Sequence, residues 1–228
     1  MKLCLTLLPL ALLGCGSDDA VTLDSGQDEP SDLPASVDFE AGKINRLVSE
    51  TVNGNIDLQP GGEDGGIRVD VVRQDQEESW DYFLQDQVLA MWPLCSNGVI
   101  GCSSGFAIGA PDTTTADLKT VSGEVKISDY NGDVDIENTQ GTITGIRLKG
   151  GTIVAFGNNV TMNLAFLNEP TALDLTSIDG TINVEVPRGT YALDIQTNGV
   201  KSIDELVNGD GPVIKIISTS GDITVIGI

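Results

Sequence analysis

The side chains able to do chemistry in this 228-residue chain are overwhelmingly carboxylates. Asp and Glu total 34 against 12 Lys and Arg, with no His, for a formal charge of −22. Without His, a Ser-His-Asp triad is impossible, and the commonest general base and nitrogen ligand for zinc are missing. Carboxylates alone could hold a hard cation or work in acid–base pairs. Asp129, Asn131 and Asp133 have the one-three-five spacing of a calcium loop. The sixth position is Val134 where such a loop needs Gly, and the twelfth is Gln140 where it needs Glu, so the EF-hand reading fails. Asp133, Asp135 and Glu137 alternate with Val134 and Ile136, which places the three carboxylates on one outward, solvated face. Glycoside hydrolysis needs two carboxyls about 5–9.5 Å apart. No convergent cluster of Asp with Arg or Lys stands out, and Ser122 and Ser220 stand before turn glycines. The chain therefore reads as a non-enzyme without cofactor or metal. Its charge repels phosphate backbones, which makes nucleic acid a poor partner.

The cysteines are the other reactive groups. Cys95 and Cys102 flank Ser-Asn-Gly-Val-Ile-Gly, and Asn97-Gly98 is a turn pair that would bring them together. In an exported protein this spacing predicts a disulfide, the alternatives being two free thiols or metal ligands. Export is read from the N-terminus: Met1-Lys2 precedes an apolar run, Leu3 to Leu13, too short to span a bilayer and suited to a signal peptide. Leu12-Leu13-Gly14-Cys15 resembles the lipobox of bacterial lipoproteins. The resemblance implies cleavage before Cys15 and acylation of that residue by chains such as palmitate; the alternatives are an ordinary secretory signal or a cytosolic N-terminus. Two acyl chains suffice for stable anchoring at about 0.8 kcal/mol per buried CH₂. Gly16, rather than Asp, follows Cys15, which resembles an outer-membrane address and puts the protein on the bacterial cell envelope.

The elements that must position these groups are read next. Residues 1–14 are the expected signal peptide. Residues 15–41, rich in Asp, Ser, Pro and Gly, are a flexible acidic tether, and residues 42–228 are one repeat domain. The chain holds 27 Gly and only 4% aromatics. Glycines fall at 123, 132, 141 and 150, nine apart by subtraction, and Val125, Ile127, Val134 and Ile136 alternate with polar residues between them. The phrase returns as Thr51-Val-Asn-Gly-Asn-Ile-Asp-Leu58, Ser177-Ile-Asp-Gly-Thr-Ile-Asn-Val184 and Thr219-Ser-Gly-Asp-Ile-Thr-Val225. Alternation at period two punctuated by Gly predicts short strands whose Val and Ile point inward. The fixed step predicts a right-handed single-stranded β-solenoid, or β-helix. The hairpin dipeptides Asn131-Gly132, Asp179-Gly180 and Asn198-Gly199 keep an antiparallel β-sandwich as the alternative. One stretch breaks the pattern. Trp80, Phe83, Leu84, Val88 and Met91 are spaced three and four apart, and Asp75 and Glu78 have capping-box spacing, so Gln74 to Met91 is expected to be a short α-helix. That helix and the Cys95–Cys102 loop make residues 74–115 an insertion. Trp80 and Phe83 either bury or form a ligand platform.

Thr120-Val-Ser-Gly-Glu-Val-Lys-Ile127, Tyr130-Asn-Gly-Asp-Val-Asp-Ile136 and Ile182-Asn-Val-Glu-Val-Pro-Arg-Gly189 resemble the bacterial exported β-strand-repeat family labelled "putative adhesin". The similarity runs from about Thr51 to the end. It implies a solenoid and a surface location, and it carries over no catalytic residue. Three functions follow. The first is a lipid-anchored surface lipoprotein that binds a glycan, a wall component or another protein through Trp80, Phe83, Asn97, Gly98, Val99 and Ile100. The second is a structural spacer or envelope-assembly element with no specific ligand. The third is a carbohydrate-active β-helix enzyme.

Overall fold

The computed structural model describes residues 35–61, 65–72, 79–94 and 103–228. Sixteen strands and no α-helix occur among them. In chain order they are β1 (Ser36–Phe39), β2 (Arg46–Thr51), β3 (Ile56–Pro60), β4 (Ile67–Val72), β5 (Ser79–Gln85), β6 (Val88–Leu94), β7 (Gly105–Ala110) and β8 (Thr115–Ser128). There follow β9 (Val134–Leu148), β10 (Thr152–Phe166), β11 (Ala172–Ser177), β12 (Ile182–Val186), β13 (Thr190–Thr197), β14 (Lys201–Asp204), β15 (Val207–Ser218) and β16 (Ile223–Gly227).

The nine-residue repeat makes the long strands β8, β9 and β10, which pair in parallel along most of their length. Each runs through both halves of a two-layered arrangement. The first half of β8 pairs with β2, and the second half pairs with β3. Between the halves the backbone of β8 and β9 bends at Gly123 (φ +156°) and Gly141 (φ +133°). A Cβ on Gly141 would sit 2.1 Å from the carbonyl oxygen of Gly123, so only Gly lets the backbones approach this closely. One layer then reads β5-β6-β2-β8-β9-β10-β11-β15-β13, and the other β1-β4-β7-β3-β8-β9-β10-β12-β16-β14.

The inward faces of both layers form one core. Val125, Ile127, Val134, Ile136, Ile182, Val184, Ile223 and Val225 are all at most 2% exposed, as the alternation requires. Each contributes roughly 1.5–3 kcal/mol by leaving water. Register stacks them: Ile56, Val125, Ile143, Met162, Ile182 and Ile223 lie on successive strands of the second layer. One inward column is polar instead. Thr51, Thr120, Asn138, Ser177, Ser218 and Thr197 stack where the first layer ends and the chain turns toward the second. Their side chains bond turn backbone: Ser177 Oγ accepts from Gly180 N–H (3.0 Å), Ser218 Oγ accepts from Gly221 N–H (2.9 Å), and Thr197 Oγ1 donates to the Gly221 carbonyl (2.6 Å). These bonds satisfy backbone groups that the turn takes out of the ladder.

Two expectations are corrected. The single-stranded solenoid is overturned by the strand order and by mixed pairing within one open 16-stranded sheet. A single-stranded solenoid stacks each coil on the preceding one. Here β15 and β16 insert between β11–β12 and β13–β14, and β1·β4, β4·β7 and β5·β6 are antiparallel. The sandwich-like alternative is nearer in its two facing layers, although most of its ladders are parallel. The helix expected over Gln74 to Met91 is also overturned. Of that stretch, β5 and β6 form an antiparallel hairpin around Asp86 (φ 51°) and Gln87 (φ 65°), the two positive-φ residues of a tight primed turn. The three-and-four spacing mixed two strand faces. Trp80 and Tyr82 face inward, Phe83 faces outward, and Leu89 and Met91 return to the core.

Candidate functional site

Trp80 and Phe83, proposed as a binding platform, lie on opposite faces of β5. Trp80 is 1% exposed and packs on Phe106 (ring centroids 6.0 Å) and Tyr82 (5.6 Å), which is core work. Phe83 lies on the opposite face of β5 and is 54% exposed. Asn97, Gly98, Val99 and Ile100, with Cys15, Cys95 and Cys102, lie outside the described residues.

The richest chemistry among the described residues is on the outward face of the first layer, where parallel register brings charges from β2, β8 and β9 side by side. Asp117 and Asp135 are register partners, as are Lys119 and Glu137. Arg46 Nε donates to Asp117 Oδ2 at 2.5 Å, and Lys119 Nζ lies 3.4 Å from Glu137 Oε2. Burial, then the neighbouring Asp117 and Glu137, push the Asp135 carboxyl above its ordinary value. Two carboxyls in different environments are the raw material of acid–base catalysis. The groove over them, lined by Arg46, Val48, Glu50, Asp117, Lys119, Asp135 and Glu137, holds only ≈ 150 Å³. Ligand clefts run to about 300–1,000 Å³. The same ladder logic recurs as ordinary ion pairing, in Lys126–Asp57 (3.3 Å) and Lys215–Asp174 (2.8 Å).

The residues weighed as a calcium loop are engaged by the fold. The Arg147 guanidinium binds Asp129 and holds its carboxyl below the usual range. Asp133 Oδ1 accepts from Thr152 N–H at 2.8 Å, and Asn131 N–H donates to Asp112 Oδ1 at 3.2 Å. Among the described residues no group of three or more Asp, Glu, Cys or His gathers as a metal site. The cross-strand pairs were missed in the sequence because partners such as Arg46 and Asp117 are 71 residues apart. The alternating outward charges were the only signal.

The fold and this surface define a class: a two-layered, mainly parallel all-β protein whose outer faces are ion-paired ladders. No family model matches the chain, and no curated protein matches it. Solved structures resemble it. A "putative cell adhesion protein" from Clostridium sporogenes ATCC 15579 is similar over 86% of this chain and 100% of its own, at 10% identity and a TM-score of 0.48. A "putative adhesin" from Bacteroides fragilis NCTC 9343 is similar over 87% and 99%, at 16% identity and a TM-score of 0.42. A "putative adhesin" from Parabacteroides merdae ATCC 43184 is similar over 83% and 95%, at 12% identity and a TM-score of 0.26. At these values the likenesses assign no function to this chain.

Proposed function

We propose that this chain is a non-catalytic spacer of the bacterial cell envelope, lipid-anchored at Cys15, that holds a rigid acidic body away from the membrane. The observation that carries the reading is the use of the repeat positions: inward ones build a continuous core, and outward ones pair across strands as Arg46–Asp117, Lys119–Glu137, Lys126–Asp57 and Lys215–Asp174. Charges tied up along these ladders leave an acidic wall that offers no convergent site. Anchoring rests on the Leu12-Leu13-Gly14-Cys15 motif after the apolar run. Cys15→Ser should release the protein from membranes or leave it unprocessed; unchanged membrane association at unchanged mass would sink the anchor. A Cys95–Cys102 disulfide belongs to the same exported setting. Its short loop would contribute about 2.5 kcal/mol in the chain-entropy model. Non-reducing peptide mapping should find the linked pair, whereas two freely alkylated thiols would disprove it.

A second reading, an adhesin, is favoured by one observation: Phe83 and Leu84 are 54% and 44% exposed on the edge strand β5. Exposed apolar residues on an edge invite a partner. Phe83→Ser should abolish retention on cells, wall material or glycans if this reading holds. Retention equal to that of the parent chain, or none by either, leaves the spacer. Polysaccharide turnover abolished by Asp135→Asn would overturn both.

A further inference from the structure

The two-layered stack ends at β13 and β14, which among the described residues pair only with β15 and β16. Each therefore carries one open backbone edge, and exposed apolar side chains gather here: Val200 (66%), Val207 (62%) and Ile203 (40%). Free edges beside apolar surface are a template on which another chain can add. The stack itself shows why such an end is dangerous. Every strand buries its inward residues beside those of its neighbour, and a second copy of this end, turned about a two-fold axis, would continue both layers.

One residue breaks the column. In register, the inward apolar positions run from Phe106 and Ile56 through Val125, Ile143, Met162 and Ile182 to Ile223. All are at most 1% exposed. The next partner after Ile223, on the last strand, is Lys201. Parallel partners share a face, so Lys201 stands on the core side of β14, where the other seven strands carry an apolar residue. Its ammonium donates to the Ile195 carbonyl of β13 at 3.3 Å, across the open mouth of the core, and forms no ion pair among the described residues. We infer that Lys201 is the stop of the stack: it prevents a second copy from adding end to end, because addition would take out of water an ammonium whose partner here is a backbone carbonyl. Asp194, Asp204 and Asp210 are exposed around this end and repel a second copy further. β14, with four residues, also offers little edge.

The inference holds whether the protein is a spacer or an adhesin. Its test is sedimentation velocity on the full chain carrying Cys15→Ser, so that no lipid confounds association, with Lys201 intact or changed. Lys201→Ile should associate with a dissociation constant at least about tenfold below that of the parent, more strongly as salt screens the acidic rim. Ser202→Cys, added to each, should cross-link copies only in the Lys201→Ile chain. A parent that already dimerises and cross-links through Ser202→Cys overturns the inference. So does a Lys201→Ile chain that keeps the parent's circular dichroism yet stays monomeric. If Lys201→Ile fails to fold, Lys201→Gln decides: association above the parent's supports the stop, and a folded monomer overturns it.

Discussion

The two ends of the stack face the same problem and solve it differently. Among the described residues, the last strands at either end have neighbours on one side only, and their inward side chains lack a further strand to pack against. The N-terminal end closes with aromatic bulk. There β5 and β1 bring Tyr82 and Phe39 edge to face (5.2 Å, 83°), and Trp80 packs behind them on Phe106. The antiparallel hairpin β5–β6 and the antiparallel pair β1–β4 extend the layers without repeating the parallel ladders. Among the described residues the C-terminal end has no such lid. Its last strands keep Ile203 at 40% exposure and place Lys201 on the core side. One end is finished by burial and the other by charge. Repetition builds the middle, and each terminus needs a sequence that departs from the repeat.

The sharpest way to break this comparison is Trp80→Ala. Removing the buried indole should cost about 3–5 kcal/mol in denaturant unfolding. A loss below that of any surface change would show that the N-terminal end is not closed by its aromatics. The polar column that runs toward both ends gives a middle scale. Ser218→Ala leaves the part-buried Gly221 N–H without its acceptor and should cost about 1–2 kcal/mol. Thr197→Ala, the same column at the open end, should cost less because Thr197 is only partly buried. Equal costs would mean that the C-terminal end is as closed as the interior. Ile203→Ala at that end should cost about 1 kcal/mol, well under the Trp80 change, since Ile203 is already 40% in water.

The smallest effect belongs to the outward face between the ends. Burial and the neighbouring Asp117 and Glu137 raise the Asp135 carboxyl above its ordinary 3.8, so the native state binds that proton more tightly than the unfolded state. Its ionisation therefore takes stability away as pH rises from about the ordinary carboxylate range through the raised value. Asp135→Asn should be neutral or slightly stabilising at pH 7 and should flatten that slope in thermal melts. Asp129 runs the opposite way. Arg147 lowers its carboxyl, so its contribution is present above the ordinary range and is lost as pH falls through the lowered value. Asp129→Asn should reduce stability slightly at pH 7, and a gain there would show that the Arg147 contact is idle.

Local pattern determined the strand character of the repeats and their inward residues. Val134 and Ile136 alternate with Asp135 and Glu137, and a period of two leaves one face to bury. Gly123 and Gly141 stand where backbones approach too closely for a Cβ. These facts are written in neighbouring residues and need no knowledge of what lies opposite. Tertiary structure alone decided the rest. The hairpin β5–β6 stands in place of the expected helix: the two strands pair antiparallel, and Trp80 meets Phe106 edge to face across the core. The order of strands was also decided there. Repeats nearly alike at 116, 134, 153, 173 and 214 carry no mark of which lies beside which, so the insertion of β15–β16 inside β13–β14 was invisible in the chain. Whether Lys201 is an ordinary surface lysine or the end of a buried column depends on its partner being Ile223. That pairing is a contact across 22 residues, and only packing could choose it.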